Sequence, residues 1–421
     1  MKPTFLYGES KLGNHSNYLV LIIWGLMLFV FGMTMDTPKG IVSGLYRLII
    51  EPDFLITDYI SIGGLGAAFV NAGLLMLISI GILHFLDVKI TGAAVSSLWL
   101  MSGFGLFGKN LFNVWFIILG VWLYARYQKE KFSKYVYIAL FGTSLAPTVT
   151  QVMFGLNLSK TFSIPLGILT GVVIGFILPP LSSHMMRIHQ GFNLYNIGFT
   201  AGIIGTILVS IFKSNGLKLD TRMIWSTGHQ APLSVLLVIM FLSMLGIGYF
   251  QNGMSLQGFQ KLYQYSGRAV TDFIVLEGFP ITLMNMGING LFATAYVILI
   301  GGVLNGPIIG GIFTIVGFSA FGKHLSNMLP IFTGVFLGGL TNLWDINDPG
   351  MVLAALFGTT LAPIAGQFGW GYGVLAGFLH SVVVQNVGYL HAGLNLYNNG
   401  FSGGIVAATL VPIIEAFKKE D

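Results

Sequence analysis

Charged residues are scarce in this chain. Of its 421 residues, 20 are Lys or Arg and 15 are Asp or Glu, together 8% of the sequence, against about 25% in soluble globular domains. So few charges cannot cover a water-facing surface of this size, whereas hydrophobic residues make up 54% and the mean hydropathy is +0.81. The composition predicts an all-α polytopic membrane protein and excludes a soluble enzyme, a secreted scaffold and a nucleic-acid-binding module.

Cysteine is absent, which excludes disulfide bonds, iron–sulfur clusters and thiolate metal sites. The sequence also lacks HExxH, GxSxG and P-loop motifs, and it has no His, Asp or Glu cluster at metal-ligand spacing. We therefore expect no cofactor, no metal and no enzymatic activity. The apolar run 18–35 is followed by no small-residue cleavage site, so we expect it to remain as the first span.

The net charge of +5 is explained by membrane topology. Lys and Arg accumulate in the cytoplasmic loops of membrane proteins. Four of them fall in one loop between two apolar segments: Arg126, Lys129, Lys131 and Lys134. We therefore expect the lipid bilayer as a partner and no nucleic acid.

The most informative feature is an internal duplication. Four pairs of stretches match in the same order: 57–60 with 271–274, 103–123 with 317–337, 139–151 with 355–367, and 189–199 with 391–401. In the second pair, 11 of 21 positions are identical. Shared membrane composition does not place the same Lys, Asn, Gln and His in the same order, so the chain consists of two homologous halves, 1–220 and 221–421.

Each half contains about seven apolar segments, some of them broken or re-entrant. In the first half they lie at 18–35, 58–84, 90–107, 111–126, 135–155, 163–183 and 194–213. In the second half they lie at 231–251, 272–300, 304–321, 327–343, 351–368, 371–388 and 396–416. Seven crossings per half would make the halves inverted repeats, whereas one segment per half that dips in and returns would make them parallel.

Loop charges favour the inverted arrangement. The loop with four basic residues has its counterpart at 339–350, which contains no Lys or Arg but carries Asp345 and Asp348. With a cytoplasmic N-terminus and 14 crossings, 13 of the 20 Lys and Arg lie inside and 7 outside.

Duplicated proline breaks mark the fifth segment of each half, at Pro147 and Pro363. A proline frees backbone carbonyls that lipid cannot satisfy, so such a break faces protein or a wet cavity. Interrupted segments at matching places in two halves are typical of transporter sites. The polar residues at these breaks are Thr143, Gln151, Thr359 and Gln367. A tolerated kink, satisfied locally by hydroxyl groups, is the alternative.

A duplicated Asn-Leu-Tyr-Asn motif opens the seventh segment of each half. Helix starts present unpaired N–H groups, so two such starts related by the repeat can hold a polar solute. The candidate contacts are Asn193, Tyr195, Asn196, Asn395, Tyr397 and Asn398. Helix capping by the asparagines and an interfacial belt of tyrosines are the alternative.

Matched Phe-Gly-Lys turns place Lys109 and Lys323 between the third and fourth segments. A lysine at a membrane edge usually extends to the headgroups. If the short flanking segments form a hairpin that does not reach the far face, the amine lies deeper and can bind an anion. Asp58 and Asp272 each follow a Thr at a predicted helix start, where capping explains them.

The repeated motifs resemble those of an uncharacterised family of bacterial multi-spanning proteins with a domain of unknown function. Those motifs are H-x-G-x-N-L-Y-N-x-G-F and A-L-F-G-T-[ST]-L-A-P-x-x-x-Q. The stretches 193–202 and 395–404 are also faintly similar to a Gly- and Asn-containing segment of urea transporters. That similarity implies two inverted halves around a pore in each protomer of a trimer.

The sequence therefore predicts a transporter or facilitative channel for a small polar solute, with its site between the two halves. A membrane-embedded enzyme acting on a lipid-linked substrate and an accessory subunit of a membrane complex stay open as alternatives. We expect the bacterial plasma membrane as the location, with the N-terminus in the cytoplasm, and leave open whether the chain forms a homo-oligomer.

Cysteine scanning tests the orientation of the halves, because the chain has no native cysteine. Cysteine at position 129 is expected to react with an impermeant maleimide from the cytoplasmic side, and cysteine at position 345 from the external side. Reaction of both from the same side would contradict inverted repeats.

Overall fold

The computed structural model describes residues 11–156, 158–217, 219, 222–341 and 343–418, and these are almost entirely helical. The helices of the first half are α1 (Lys11–Met35), α2 (Pro38–Ile50), α3 (Tyr59–Gly63), α4 (Leu65–Phe85), α5 (Gly92–Phe104), α6 (Val114–Tyr127), α7 (Val136–Gly142), α8 (Ala146–Thr150), α9 (Lys160–Ile188) and α10 (Asn196–Ser214). Those of the second half are α11 (Gln230–Gln251), α12 (Phe273–Glu277), α13 (Phe279–Leu299), α14 (Gly306–Phe318), α15 (Leu325–Thr341), α16 (Pro349–Gly358), α17 (Ala362–Phe368), α18 (Trp370–Val387) and α19 (Asn398–Phe417).

Short elements complete the described chain. The 3₁₀ turns are Phe132–Lys134, Thr143–Leu145, Phe259–Gln264, Thr359–Leu361 and Gly388–His391, and Gln151–Gly155 forms a π-helical turn. Two strands of two residues each, β1 (Ile56–Thr57) and β2 (Met223–Ile224), pair in parallel with Ile56 opposite Met223. This pairing ties the start of the first half to the connection between the halves.

Ten helices of the described chain are long and apolar enough to cross a membrane. They are α1, α4, the composite α7–α8, α9, α10, and their second-half counterparts α11, α13, the composite α16–α17, α18 and α19. The protein is thus an integral membrane protein by its helices. Five such helices per half is again an odd number, as inverted repeats require.

The third and fourth segments of each half, counted above among fourteen crossings, form short hairpins instead. The first hairpin is α5–α6 and the second hairpin is α14–α15. With 13 residues each, α5 and α14 extend about 20 Å at 1.5 Å per residue, too short for a hydrocarbon layer of about 30 Å. Hydropathy alone does not distinguish them, because both hairpins are as apolar as the spanning helices; the short hairpin given above as the alternative for Lys109 and Lys323 is the arrangement that forms.

The two hairpins pack against each other through α5 and α14, and this contact is antiparallel. A Cβ atom on Gly92 would lie 2.1 Å from the carbonyl oxygen of Ala320, and one on Gly306 would lie 2.4 Å from that of Leu106. The start of each helix therefore lies beside the turn of the opposite hairpin. Because α5 and α14 are repeat counterparts, the axis that relates the halves is perpendicular to them, which is the geometry of an inverted repeat.

A second antiparallel contact joins α10 to α19 at the same axis. A Cβ atom on Gly198 would lie 3.1 Å from the Cα of Gly400, so both glycines permit close approach. At the next residue of each helix, the rings of Phe199 and Phe401 stack with their centroids 6.3 Å apart. Both pairs are repeat counterparts, so the two halves meet at equivalent residues.

Asp58 and Asp272 link the two halves as well as capping helices. Asp58 accepts a hydrogen bond from Ile60 N at 3.0 Å, which caps α3, and another from the backbone N–H of Gly306. Asp272 accepts from Ile274 N at 3.1 Å, which caps α12, and from Gly92 N at 2.8 Å. The prediction that both are caps is confirmed. Each also caps the first helix of the hairpin in the other half.

The predicted breaks in the fifth segments are confirmed. The 3₁₀ turn Thr143–Leu145 separates α7 from α8, and Thr359–Leu361 separates α16 from α17. In both halves the proline lies in the first turn after the break, where its missing N–H is tolerated.

Alanine substitution at the hairpin contact tests this packing. We expect Gly92→Ala and Gly306→Ala each to lower stability by about 1–3 kcal/mol, because the new methyl group meets a backbone carbonyl that cannot rotate away. Gly81→Ala is the matched control, since a Cβ there meets nothing within 4 Å. Thermal unfolding in detergent, followed by tryptophan fluorescence, measures the effect. Equal midpoints in all three variants would contradict the packing.

Candidate functional site

Each predicted lysine lies in the turn of a hairpin and is fully buried. Lys109 and Lys323 both have 0% relative exposure. The glycine before each, Gly108 at φ +103° and Gly322 at φ +98°, adopts a conformation that a side chain disfavours. The turn therefore points both lysines back into the protein rather than towards the headgroups.

Asparagines from the neighbouring long helices hold these turns. The Nδ2 of Asn71 in α4 donates to the carbonyl of Lys109 at 2.8 Å, and the Nδ2 of Asn285 in α13 donates to that of Lys323 at 2.8 Å. Neither asparagine was among the site residues expected from the sequence. Their duplication inside apolar helices was the signal that could have identified them.

Lys323 has close polar neighbours. Its Nζ donates to the hydroxyl of Tyr195 and to Oγ1 of Thr359, the latter at 2.7 Å. It also lies 4.5 Å from the centroid of the Tyr195 ring and 5.4 Å from that of Phe318. Contacts of this kind stabilise an ammonium group but carry no negative charge.

Lys109 has weaker neighbours. Its Nζ lies 3.4 Å from the carbonyl oxygen of Leu140 and 3.7 Å from the sulfur of Met101. It lies 5.0 Å from the centroid of the Phe104 ring. Within the described residues, no carboxylate lies within 4.0 Å of either lysine.

The tyrosines of the Asn-Leu-Tyr-Asn motifs meet between the lysines. The rings of Tyr195 and Tyr397 have centroids 5.0 Å apart, and both residues are buried. Tyr397 packs on Phe104 at 4.6 Å, as Tyr195 packs on Phe318 at 4.8 Å. We refer to the residues gathered here as the central cluster: Lys109, Thr143, Tyr195, Lys323, Thr359 and Tyr397.

Asn193 and Asn395 join the two halves to each other. The Nδ2 of Asn193 donates to the carbonyl of Gly400 at 3.0 Å, and that of Asn395 donates to the carbonyl of Gly198 at 3.1 Å. Each side-chain oxygen also accepts from the backbone N–H two residues later, at 3.2 and 3.0 Å. Both asparagines thus satisfy the start of a helix and the backbone of the opposite half.

Asn196 and Asn398 pair with the histidines of the same motif. The Oδ1 of Asn196 lies 3.0 Å from Nε2 of His189, and that of Asn398 lies 2.9 Å from Nε2 of His391. These asparagines lie in the first turn of α10 and α19, so the pairs fix how each helix follows the preceding turn.

The glutamines lie outside the central cluster, and the two differ. Gln151 is buried in the π-helical turn, and its Oε1 has no hydrogen-bond partner there. Gln367, near the end of α17, is exposed. The hydroxyl of Thr143 at the break donates to the carbonyl of Leu140 at 2.6 Å, the same carbonyl that Lys109 approaches.

A cavity of about 440 Å³, the first cavity, reaches the central cluster from one side. Its walls come from α7, α9 and α10 of the first half and from the turn of the second hairpin. They include Tyr137, Ser183, Tyr195, Asn196, Phe321 and Tyr397. Apart from the tyrosines, Asn196 and two serines, these walls are apolar.

A second cavity, of about 90 Å³, lies at the equivalent place in the other half. Four residues that line it are the repeat counterparts of residues that line the first cavity. The pairs are Leu353 and Tyr137, Gln385 and Ser183, Asn398 and Asn196, and Phe107 and Phe321. The cavities at equivalent places in the two halves therefore differ several-fold in volume. Both cavities depend on tertiary packing, so no sequence motif predicts them.

Comparison with known proteins identifies the family of this chain. The family profile described as "Protein of unknown function (DUF1576)" matches residues 37–214 and 251–416, one stretch in each half. These stretches cover well over half of the chain, so the chain belongs to this family, as the motifs predicted. No curated protein and no solved structure matches the chain. The similarity to urea transporters stays a prediction.

Removal of the asparagine bonds between the halves tests their role. We expect Asn193→Ala to lower stability by about 1–3 kcal/mol, because it removes two buried hydrogen bonds, one to the carbonyl of Gly400 and one from the hydroxyl of Thr360. Asn386→Ala is the control, since Asn386 is exposed and bonds only within its own helix at 2.9 Å. Thermal unfolding in detergent measures both, and similar midpoints would contradict a role in joining the halves.

Proposed function

We propose that this member of the DUF1576 family is a transporter that moves a small polar solute by alternating access. The solute site lies at the central cluster, between the two halves. The observation that carries the proposal is the pair of repeat-equivalent cavities, with volumes of about 440 and 90 Å³.

The inequality of the cavities supports two states. The halves share their motifs and their fold, so each half can adopt either local conformation at a similar free energy. A state in which the first cavity is open and the second closed then implies a second state with these conformations exchanged. In an inverted repeat, equivalent cavities face opposite sides of the membrane, so the exchange moves the open side across it.

The tyrosine pair supports a transporter over an open channel. Tyr195 and Tyr397 form part of the wall of the first cavity, and their rings pack 5.0 Å apart. Beside these rings, α10 and α19 are in close contact at their glycines, which leaves no open path between the helices. Passage from one cavity to the other therefore requires movement of these helices or of the hairpins.

The first cavity has the size of a small-molecule site. A volume of about 440 Å³ falls within the usual range of about 300–1,000 Å³ for ligand pockets, whereas the second cavity falls below it. With the N-terminus in the cytoplasm of a bacterium, as we further propose, the first cavity opens to the cytoplasm. The proposed transport needs no cofactor and includes no catalytic step.

Paired cysteines test the proposal. We expect Ser183→Cys, in the wall of the first cavity, to react with an impermeant maleimide from one side of sealed vesicles. Its counterpart Gln385→Cys is expected to react more slowly and from the other side, only when the second cavity opens. Lys131→Cys, on an exposed loop, is the control for vesicle orientation.

The double variant distinguishes a transporter from a channel. A bulky maleimide on Ser183→Cys is expected to hold the first cavity open and so to suppress reaction at Gln385→Cys. Alternating access would be overturned if both cysteines reacted from the same side. It would also be overturned if the cysteine at position 385 reacted at the same rate whether or not the cysteine at position 183 was modified.

A further inference from the structure

Two buried lysines in this structure lack a counter-charge. Lys109 and Lys323 are fully buried, and no described carboxylate lies within 4.0 Å of either. An uncompensated ion inside a membrane protein is costly and is retained where it serves a function. The neighbours of both are neutral hydroxyl, carbonyl, thioether and aromatic groups.

The two lysines have equivalent surroundings, but only around Lys323 do all the neighbouring hydroxyl groups have hydrogen-bond partners. Around Lys323, the hydroxyls of Tyr195 and Thr359 accept hydrogen bonds from its amine. The hydroxyl of Thr360 donates to Asn193 at 2.5 Å and accepts from the N–H of Tyr195 at 3.0 Å. Every hydroxyl in this half of the cluster therefore has a partner.

Around Lys109, two of the three equivalent hydroxyls have no hydrogen-bond partner, whereas that of Thr143 donates to the carbonyl of Leu140. Tyr397, the counterpart of Tyr195, and Ser144, the counterpart of Thr360, are buried, and neither hydroxyl has a hydrogen-bond partner among the described residues. The two residues lie together, because the carbonyl of Ser144 accepts from the N–H of Leu396 at 3.1 Å. Tyr397 packs on Phe104, the ring over which the amine of Lys109 lies.

We propose that the transported solute is a small oxyanion, held by Lys109 together with the free hydroxyls of Tyr397 and Ser144. The inference rests on the proposed transport function and names its substrate class. Oxyanion oxygens accept hydrogen bonds from hydroxyl and ammonium donors, and such charge-assisted bonds are stronger than neutral ones. A neutral solute would leave the charge of the lysine uncompensated.

The equivalent half of the cluster shows what replaces the anion after release. There, the hydroxyls of Tyr195 and Thr359 accept hydrogen bonds from the amine of Lys323, in the place of an anion. In the exchanged state, Tyr397 and Thr143 take these positions at Lys109, and Lys323 becomes the binding lysine. Each lysine thus alternates between an internal hydroxyl partner and the anion.

The test uses the purified full-length protein and its thermal unfolding midpoint. Sodium acetate and sodium phosphate represent the carboxylate and phosphate classes, and sodium chloride at equal ionic strength is the reference. Acetamide is the uncharged analogue of acetate. We expect at least one oxyanion to raise the midpoint saturably by about 3 °C and acetamide to leave it unchanged.

Variants assign the shift to the site. Tyr397→Phe is expected to fold normally, because the hydroxyl it removes has no partner, and to weaken the oxyanion-induced shift. Lys109→Met is expected to unfold at a higher temperature than the unsubstituted protein without anion, because it removes a buried charge, and to lose the shift. Lys131→Met, on the exposed loop, is expected to retain the full shift.

Three results would overturn the proposal that the solute is an oxyanion. They are the absence of a shift with both oxyanions, an equal shift with acetamide, and a full shift in Lys109→Met. None of them depends on the labelling of Ser183→Cys and Gln385→Cys. If the labelling pattern supports alternating access but no oxyanion shifts the unfolding midpoint, the protein transports a different solute. If an oxyanion shifts the midpoint but the labelling pattern contradicts alternating access, the anion site exists without alternating access.

Discussion

The structure depends on the antiparallel contact between the two short hairpins. Neither hairpin is long enough to cross the membrane, so the backbone groups at its ends must be satisfied inside the protein. Asp58 and Asp272 do this across the halves, since each caps the first hairpin helix of the other half. Gly92 and Gly306 permit the close approach that these caps require. Neither half is complete without its counterpart.

This contact also positions the central cluster. The hairpin turns bring Lys109 and Lys323 to the axis between the halves, where the paired rings of Tyr195 and Tyr397 separate them. The bonds of Asn193 and Asn395 to the opposite backbone hold the tyrosines there. Elements that are related by the repeat thus form one cluster rather than two independent ones.

The two halves are equivalent in sequence but not in conformation. One lysine is satisfied by hydroxyl groups and the other is not, and the cavity of one half is several times larger than that of the other. An exchange of conformations between the halves would account for both inequalities, and it is the physical basis of the alternating access that we propose.

Much of the fold could be predicted from sequence, because duplication is visible without structure. The repeated lysines, the proline breaks and the capping roles of Asp58 and Asp272 were all predicted. The hairpins were counted among the crossings, since apolar helices of 13 residues and spanning helices have similar composition, although a short hairpin that buries each lysine was given as the alternative. The different exposure of Gln151 and Gln367 was not foreseen either. Because Gln151 and Gln367 occupy matching positions in the same motif, the sequence does not indicate that their surroundings differ between the halves.

Distances across both cavities test the central claim most directly. Spin labels at cysteines replacing Ser183 and Phe321 span the first cavity, and labels replacing Gln385 and Phe107 span the second. Alternating access predicts two distances for each pair, with the long distance of one pair populated whenever the other pair is short. A single fixed distance for each pair, with the first always long and the second always short, would contradict it.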